Sequence, residues 1–166
     1  ATGGLRLTQA YSNSSVCSPT RCALATGRYQ YRLPVGLVEP IRFKAGDAGL
    51  PAGHPTLASL FRAMGYRTAM IGKWHLGADP AHGPLRHGYE HFFGIHGGAA
   101  DYYTHEHTAP ATGTSELYED ERRVRNHGYL TELLTTEALA EIERNAAKRQ
   151  PFLLSLHYTA PHWPWE

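Results

Sequence analysis

The segment Cys17-Ser18-Pro19-Thr20-Arg21 constrains the fold and chemistry of this chain more than any other. Pro19 suits the first turn of a helix, because its φ is already helical and its missing N–H costs nothing there. Gly27 stands where a helix would end in a left-handed cap. We therefore expect a helix that begins at or next to Cys17, where free N–H groups and the helix dipole favour negative charge. Arg21, one turn on, can reach back over the same spot with its planar set of donors. The segment predicts a nucleophile inside an anion site.

Size and composition exclude several classes of protein. The chain has 166 residues, a net charge of +1 and 42% hydrophobic residues, which suits one domain with an apolar core. Its charges are mixed in sign along the chain, so neither nucleic acid nor a membrane surface is an expected partner. No apolar run is long enough to cross a bilayer. Cys17 and Cys22 lie five apart on one predicted helix, so we expect neither a disulfide between them nor a structural zinc site.

Hydrophobic patterning in the first half predicts two strands and a second helix. Alternation over Leu5–Tyr11 is typical of a short half-buried strand. Thr56 is a candidate N-cap for a helix with one apolar face, and Gly65 ends that helix. A strand over Tyr66–Ile71 follows. The apolar face of the helix consists of Leu57, Leu60, Phe61 and Met64. Residues 32–55 are rich in Gly and Pro, and we expect an ordered surface excursion there.

The second half contains one long helix and one strongly apolar strand. Residues 77–128 show no sustained period, which indicates either a functional loop region or short strands that the pattern does not reveal. A helix is predicted over Leu130–Lys148, and Pro151 breaks it. Residues 152–158 then form a near-continuous apolar strand, typical of a buried parallel position. The inner side of the helix is expected to carry Leu130, Leu133, Leu134, Ala138 and Ile142. The order of helices and strands predicts an α/β fold with a largely parallel sheet between helices.

Three polar residues follow predicted strands. Lys73 and His75 are two apart at the end of the first strand, so period-two geometry puts them on one face. His162 follows the strand over 152–158. In open α/β sheets, ligands bind beyond the carboxyl ends of the strands. Each residue taken alone is better explained as an ordinary surface group, but together with Cys17 the three predict an active site. His157 is expected to be packed or to act only through another residue.

A second histidine-rich segment carries a weaker signal. His105-Glu106-His107 lacks the i, i+4 spacing of helical zinc motifs, so a metal site there is disfavoured. Residues 101–105 could line a substrate pocket with aromatic rings, although a self-packed aromatic loop fits equally well.

Three separated segments resemble one enzyme family. Cys17-x-Pro19-x-Arg21, followed by Thr26-Gly27, resembles the signature of the type I, formylglycine-dependent sulfatases of the alkaline phosphatase superfamily. The resemblance continues through residues 28–32, Gly72-Lys73-Trp74-His75-Leu76-Gly77 and Ala160-Pro161-His162-Trp163-Pro164, in the expected order. Thr20 stands where many relatives carry Ser or Ala. The resemblance implies an arylsulfatase-like hydrolase in which Cys17 is converted to formylglycine, whose hydrated aldehyde is the nucleophile.

The resemblance also implies a role for each candidate residue. Arg21 would hold the hydrated aldehyde, and Lys73 would bind a sulfate oxygen and contact residue 17. His75 would hydrogen-bond the formylglycine hydroxyl and assist release of sulfate. His162 would bind substrate and protonate the leaving alcohol, a role that suits an imidazole.

A divalent cation, usually Ca²⁺, is implied as cofactor. In the family an Asp-Asp pair on the first strand, a later Asp-Asn pair and the formylglycine oxygen bind it. Neither dipeptide occurs in this chain, so residue 17, as formylglycine, is the one metal ligand expected here. We therefore expect residues 1–166 to be part of the N-terminal catalytic domain of a sulfatase. The sheet would be incomplete at both ends, without the first strand and the C-terminal part, and the isolated chain is expected to be inactive.

The leading functional hypothesis is cleavage of a sulfate monoester. A formylglycine-dependent phosphonate or phosphate monoester hydrolase is the alternative within the superfamily, and a non-catalytic binding module with unmodified Cys17 is the alternative outside enzymes. The spacing from Cys17 to Arg21 rejects a thiol-based phosphatase. Expected partners are a sulfate ester and a formylglycine-generating or anaerobic sulfatase-maturating enzyme. Periplasmic or secreted location is a family expectation, and the sequence itself leaves the compartment open.

Overall fold

The computed structural model describes residues 3–41, 49–78, 81–107 and 113–165. The described part contains three α-helices, three short 3₁₀ segments and five strands. The helices are α1 (Cys17–Thr26), α2 (Leu57–Ala63) and α3 (Leu130–Ala147), and the 3₁₀ segments are Gln30–Arg32, Pro34–Leu37 and Pro84–His87. The strands are β1 (Arg67–Lys73), β2 (His91–Ile95), β3 (Leu117–Glu119), β4 (Arg122–Arg123) and β5 (Phe152–His157).

The five strands form one mixed sheet in the order β4-β3-β2-β1-β5. Strands β2 and β5 run parallel to β1 on either side of it, whereas β3 and β4 are antiparallel additions. The parallel register aligns Gly72 of β1 with Gly94 of β2 and with His157 of β5. This row lies near the carboxyl ends of all three parallel strands, which is where α/β sheets carry their sites.

Helices cover both faces of the sheet. On one face α1 and α2 pack with Met70, Trp74 and Phe92 in a cluster that includes Cys22 of α1 and Ala58 of α2. On the other face α3 packs through Leu130, Leu134 and Ala138 against Ile71, Phe93 and Leu117. Neighbouring residues such as Phe92 and Phe93 thus supply opposite layers, as the pleat of a strand requires. The α/β fold with helices on both sides of a sheet is confirmed.

The predicted helix at Cys17 is confirmed. Helix α1 begins at Cys17 and ends at Gly27, which has φ +66° and donates its N–H to the carbonyl of Ala23. A residue without Cβ adopts this left-handed conformation at little cost, so Gly27 stops the helix after ten residues. Both cysteines are free thiols, with Cys22 buried in the core and Cys17 half-buried.

The N-cap of α2 is confirmed, but its predicted apolar face is wrong. The side chain of Thr56 accepts from the N–H of Ser59, and Ser59 closes a reciprocal capping box. Ala58 is the buried residue of the helix, because its small side chain lets the helix lie close to the sheet. Three of the larger apolar side chains are exposed, Leu57 (41%), Leu60 (59%) and Met64 (70%), and Phe61 is half-buried.

The strand predicted over Leu5–Tyr11 is also wrong. This segment is irregular, and Leu5 and Tyr11 are 87% and 83% exposed. None of the five described strands pairs with it. Alternating side chains alone do not make a strand, because the backbone N–H and C=O groups need a neighbouring strand to bond.

Two details of the second half differ from expectation. Helix α3 buries Glu141 and Asn145, whereas Ile142 is 40% exposed. Strand β5 is parallel as predicted, but in the described sheet it lies at an edge and its residues are mostly half-buried.

The aperiodic region 77–128 contains short strands, β2 to β4, that are too brief to give a repeating pattern. Among the described residues no helix combines the length and apolar character that a membrane span needs.

Candidate active site

The first turn of α1 lies beside the carboxyl ends of β1 and β5. Cys17 opens onto a cleft of about 370 Å³ that is also lined by Arg21 and by His157, the last residue of β5. Hydroxyl groups form part of its wall, including those of Ser12 and Thr20, which lie 2.9 Å apart. The N-cap residue Val16 gives the helix no side-chain cap, so the helix end presents backbone N–H groups. The cleft therefore suits an anion.

Arg21 is held by two strands. Its Nη1 donates to the carbonyl oxygen of Lys73 at 2.6 Å and lies 3.1 Å from Nδ1 of His157. Its Nε is buried and has no hydrogen-bond partner among the described residues. Burial lowers the pKa of Arg21 to about 10, while a negative charge on Cys17 would raise it. The guanidinium is thus charged at neutral pH, fixed at one nitrogen and free to donate from others.

Lys73 is buried, with only 2% of its surface exposed, and its ammonium group interacts electrostatically with Cys17. Burial lowers the pKa of Lys73 below its ordinary value, and the neighbouring Arg21 charge lowers it further, whereas Cys17 acts in the opposite direction. Two cations that repel each other are therefore held against the same residue. Such an arrangement stabilises negative charge bound at residue 17.

His75 lies beyond the end of β1 and not on it, so the period-two argument for its direction is wrong. Its backbone takes a left-handed conformation, with φ +58°. Its Nε2 lies 3.0 Å from the carbonyl oxygen of Ile41, which can only accept, so Nε2 carries the proton and Nδ1 is bare. That Nδ1 is buried without a partner among the described residues. Burial, followed by the charge of Lys73, lowers the pKa of His75 to about 4.

His162 lies five residues after β5 and is half-buried. Its Nδ1 is 2.8 Å from the carbonyl oxygen of Trp163, so Nδ1 donates and Nε2 is the nitrogen left for other partners. The hydroxyl of Tyr102 donates to the backbone carbonyl of His162 at 2.9 Å. A positive charge on His162 contributes to lowering the pKa of His75, although less than burial and Lys73 do. The structure thus brings the predicted residues to one end of the sheet, with Cys17, Arg21 and Lys73 in closest association.

The site is cationic and is poor in carboxylates. No Asp or Glu is among the described residues that line the Cys17 cleft or that influence the pKa of Arg21 or Lys73. Within the described ranges, no three His, Cys, Asp or Glu side chains are grouped so that they could hold a metal ion. Buried charges without ionic partners are costly, so this site is built to receive an anion.

Sequence reasoning underestimates two residues of the site. The sequence leaves open whether His157 is packed or acts through another residue, and the structure shows that this side chain contacts Arg21 and lines the cleft. Gly72 has φ +115°, and a Cβ there would lie 1.9 Å from the carbonyl oxygen of His157. The sequence pattern does predict the direction of His157, because residues two apart on a strand share a face. Leu153, Ser155 and His157 therefore lie on the face that α1 covers. Ser155 contacts Tyr89, which belongs to the same core cluster as Cys22 of α1.

The aromatic and histidine segment at 101–107 supports other elements. Tyr102 is buried, stacks on Tyr129 and holds the loop that carries His162. His105 is also buried, with Nε2 3.0 Å from the carbonyl oxygen of Gly128. Tyr103 is 59% exposed.

Comparison of the sequence with known proteins matches sulfatases. A family model described as Sulfatase matches residues 1–166. Human steryl-sulfatase is 43% identical over 106 residues, covering 57% of this chain and 18% of that protein. An arylsulfatase from Hemicentrotus pulcherrimus is 32% identical over 180 residues, covering 98% of this chain and 31% of that protein. The chain thus spans less than a third of the length of these relatives.

Solved structures agree in fold. The crystal structure of Ps i-CgsB in complex with k-i-k-neocarrahexaose superposes with a TM-score of 0.80 at 28% identity, covering 93% of this chain and 36% of that chain. The structure of BT4656 in complex with its substrate D-glucosamine-2-N,6-O-disulfate superposes with a TM-score of 0.69 at 26% identity, covering 96% of this chain and 28% of that chain.

Proposed function

This chain belongs to the sulfatase family, and from that premise we propose that the protein hydrolyses a sulfate monoester with residue 17 as nucleophile. The observation that carries the proposal is the pair of buried cations, Arg21 and Lys73, that face Cys17 without a carboxylate partner among the described residues. A sulfate ester supplies the missing negative charge, and more develops on its oxygens as the S–O bond breaks. Fixed donors aimed at those oxygens stabilise the transition state.

The proposal includes conversion of Cys17 to formylglycine by a maturating enzyme. The hydrated aldehyde supplies two hydroxyl groups, one to attack sulfur and one whose proton loss expels sulfate and restores the carbonyl. A thiol or a serine hydroxyl lacks the second group, so its sulfated form would need direct hydrolysis. The half-buried position of Cys17 at a helix end, within the electrostatic influence of the Lys73 ammonium group, supports this role.

The basic side chains bind and orient the anion. Lys73 donates from its ammonium group to residue 17 and to a sulfate oxygen that lies against it. Arg21 donates from the nitrogens that its contacts with Lys73 and His157 leave available. Because both cations are buried, water competes weakly for their donors, and their charge acts strongly on the ester.

The two histidines move protons at stated atoms. His75 has a bare Nδ1 and a pKa lowered to about 4, mainly by burial, so it is neutral and can accept a proton from a hydroxyl at residue 17. His162 donates from Nδ1 to a backbone carbonyl, so in its protonated form Nε2 carries the proton that the departing alcohol oxygen needs. These are the acid and base that S–O cleavage and sulfate release require.

Calcium is part of the proposal only as far as residue 17. A calcium ion takes six to eight oxygen ligands, whereas the described residues around Cys17 offer cations and hydroxyls and no cluster of carboxylates. The described residues therefore do not by themselves fit a calcium site. After modification, residue 17 would supply one oxygen ligand, and none of the steps above passes through the metal.

The substrate class is proposed at the level of the ester. Relatives are named for steryl and aryl sulfates, and one solved structure holds a disulfated glucosamine as its substrate. The common element is the sulfate group, which is also the part that Arg21 and Lys73 would bind. We therefore propose a sulfate monoester and leave the alcohol open.

The test combines chemistry at residue 17 with matched substrates. The complete protein is produced with a maturating enzyme, and the peptide carrying residue 17 is weighed by mass spectrometry. Rates are then compared on aryl sulfate, phosphate and phosphonate monoesters that share one leaving group. We expect the thiol-to-aldehyde mass loss, a preference for sulfate, and loss of turnover in Cys17→Ala. Faster phosphate or phosphonate cleavage would favour the other hydrolase class, and an unmodified thiol with no turnover would indicate a binding module.

A further inference from the structure

His157 occupies a position that the strand register fixes closely. It pairs with Gly72 across β1 and β5, and the absence of a side chain at Gly72 lets the two backbones approach. Its imidazole lies on the face that α1 covers, since Arg21 of α1 contacts it. The side chain also lines the cleft beside Cys17. His157 therefore contacts Arg21 and also lines the Cys17 cleft.

The contact with Arg21 assigns the hydrogen-bonding state of the imidazole. Arginine has donors only, so Nδ1 of His157 accepts from Nη1 of Arg21 at 3.1 Å. Burial, followed by the Arg21 charge, lowers the pKa of His157 to about 4, which keeps the ring neutral and Nδ1 able to accept. A neutral acceptor can fix a guanidinium without cancelling its charge, whereas a carboxylate would neutralise it.

Nη1 of Arg21 has two acceptors on two different strands, the carbonyl of Lys73 on β1 and Nδ1 of His157 on β5. Two anchors from different directions set the plane of the guanidinium, which one anchor would leave free to turn. The buried Nε has no partner among the described residues. The plane that the anchors set therefore decides where the remaining donors of Arg21 point.

We infer that His157 is a positioning residue, which holds Arg21 so that its uncommitted donors face the anion bound at residue 17. The inference rests on the proposed function and extends it to a residue that acts through Arg21. Loss of the acceptor leaves Arg21 charged but misaligned, so it lowers the rate of the chemical step more than it weakens substrate binding. Supporting residues of this kind typically change activity 10–100-fold.

The test uses the complete, matured protein and three substitutions at one position. His157→Ala and His157→Leu remove the acceptor, and Leu also fills the space, whereas His157→Asn restores an acceptor oxygen close to the position of Nδ1. We expect kcat to fall about 10–100-fold in the Ala and Leu variants with little change in KM, and Asn to recover most of the loss. Tyr158→Phe is the control on the same segment, because it removes only a hydroxyl that contacts Thr135.

A double-substitution cycle separates positioning from a general structural effect. If His157 acts through Arg21, Arg21→Lys combined with His157→Ala costs less than the product of the two single losses. The inference would be overturned if His157→Ala kept the parental kcat or if His157→Asn were as impaired as His157→Ala. It would also be overturned if the losses in kcat of the two single variants multiplied fully in the double variant. If the Ala variant fails to fold, the comparison of Leu with Asn takes its place: recovery in Asn supports positioning, and equal impairment overturns it.

A second readout does not depend on turnover. Binding of inorganic sulfate is measured by calorimetry, and because binding should change less than the rate, we expect an affinity about two- to threefold weaker in His157→Leu, with recovery in His157→Asn. A parent protein that binds sulfate but hydrolyses no sulfate ester would refute the proposed function and leave the positioning role to be judged by these affinities. Active parent protein with equal rates and affinities in all variants would refute the positioning role alone. A parent that neither binds sulfate nor turns over would refute both.

Discussion

The guanidinium of Arg21 donates to the backbone carbonyl of Lys73 at 2.6 Å, while the ammonium group of Lys73 lies close enough to Cys17 for a negative charge there to raise its pKa. One residue of β1 thus holds the neighbouring cation with its backbone and faces Cys17 with its side chain. Helix α1 carries both Cys17 and Arg21, so this link fixes the helix end against the strand end. The anion site is a joint property of these two elements.

Arg21→Lys tests whether the charge alone is sufficient. Lysine keeps the positive charge but cannot donate in a plane to two acceptors and to a substrate oxygen together. We expect kcat/KM on an aryl sulfate to fall roughly 10²–10³-fold, the scale seen when one transition-state donor is lost. Arg122→Lys is the control, because that side chain is 81% exposed on β4. Equal activity of Arg21→Lys and the parent protein would contradict a donor role for the guanidinium.

Gly72→Ala tests the close approach of β1 and β5. A Cβ at this position would lie 1.9 Å from the carbonyl oxygen of His157, and φ is +115°. We expect a loss of about 3 kcal/mol or more in the free energy of unfolding, measured in urea, because neither strand can move without breaking the sheet. Gly27→Ala is the matched control: φ is +66° but the space is open, so its loss should be nearer ~1 kcal/mol. Equal losses in the two variants would contradict steric contact as the cause.

His87 predicts a specific acid sensitivity. The ring is buried against Trp74, and both ring nitrogens lack hydrogen-bond partners among the described residues. Burial, then the charges of His82 and His54, lowers the pKa of His87 to about 4. Because the folded pKa lies below the unfolded value of about 6.5, the unfolded state binds the proton first, and stability falls as the pH drops from 6.5 toward 4.

We expect His87→Phe to remove up to ~3 kcal/mol of the stability loss between pH 6.5 and pH 4, because phenylalanine keeps the stacking on Trp74 and cannot be protonated. Unfolding curves collected between about pH 4 and pH 7 check this, with His127→Phe as an exposed control. The same slope in His87→Phe and the parent protein would show that another group binds the proton.

Glu141 predicts the cost of breaking a buried ion pair. Its side chain is fully buried, lies 3.6 Å from Nε of Arg67, and also contacts Arg144 and Asn145. Glu141→Ala should destabilise the protein by ~1–3 kcal/mol, because it leaves the buried amide of Asn145 without its carboxylate acceptor. The half-exposed Arg67 and Arg144 keep other carboxylates, Glu90 and Glu137. Glu141→Gln, which keeps an oxygen but not the charge, should cost less. Thermal unfolding checks the order, with Glu143→Gln on the exposed side of α3 as control.

Local chemistry made parts of the fold predictable. The start of α1 follows from Pro19, its end from Gly27, and the capping box of α2 from Thr56, because each depends on residues within one turn. These helix boundaries need no knowledge of distant contacts. The convergence of Lys73 and the Cys17 helix does not follow from strand order, because the segment before the helix pairs with none of the described strands.

The errors arose where a partner decides the outcome. Apolar spacing predicts Ile142 on the inner side of α3, but Glu141 is buried instead because Arg67 of β1 meets it there. Alternation over Leu5–Tyr11 resembles a strand, yet none of the described strands bonds to it. His157 could be assigned a face but not a role, since its partner Arg21 lies 136 residues away in sequence.

The row formed by His157, Gly72 and Gly94 restricts how such a protein can diversify. A Cβ on Gly94 would lie 2.0 Å from the carbonyl oxygen of Gly72, much as one on Gly72 would strike His157. Mutation cannot add bulk to this floor without parting the strands. If the proposed function holds, new specificity for the alcohol half of an ester would have to evolve in the surrounding loops, while this row of close strand contacts stays unchanged.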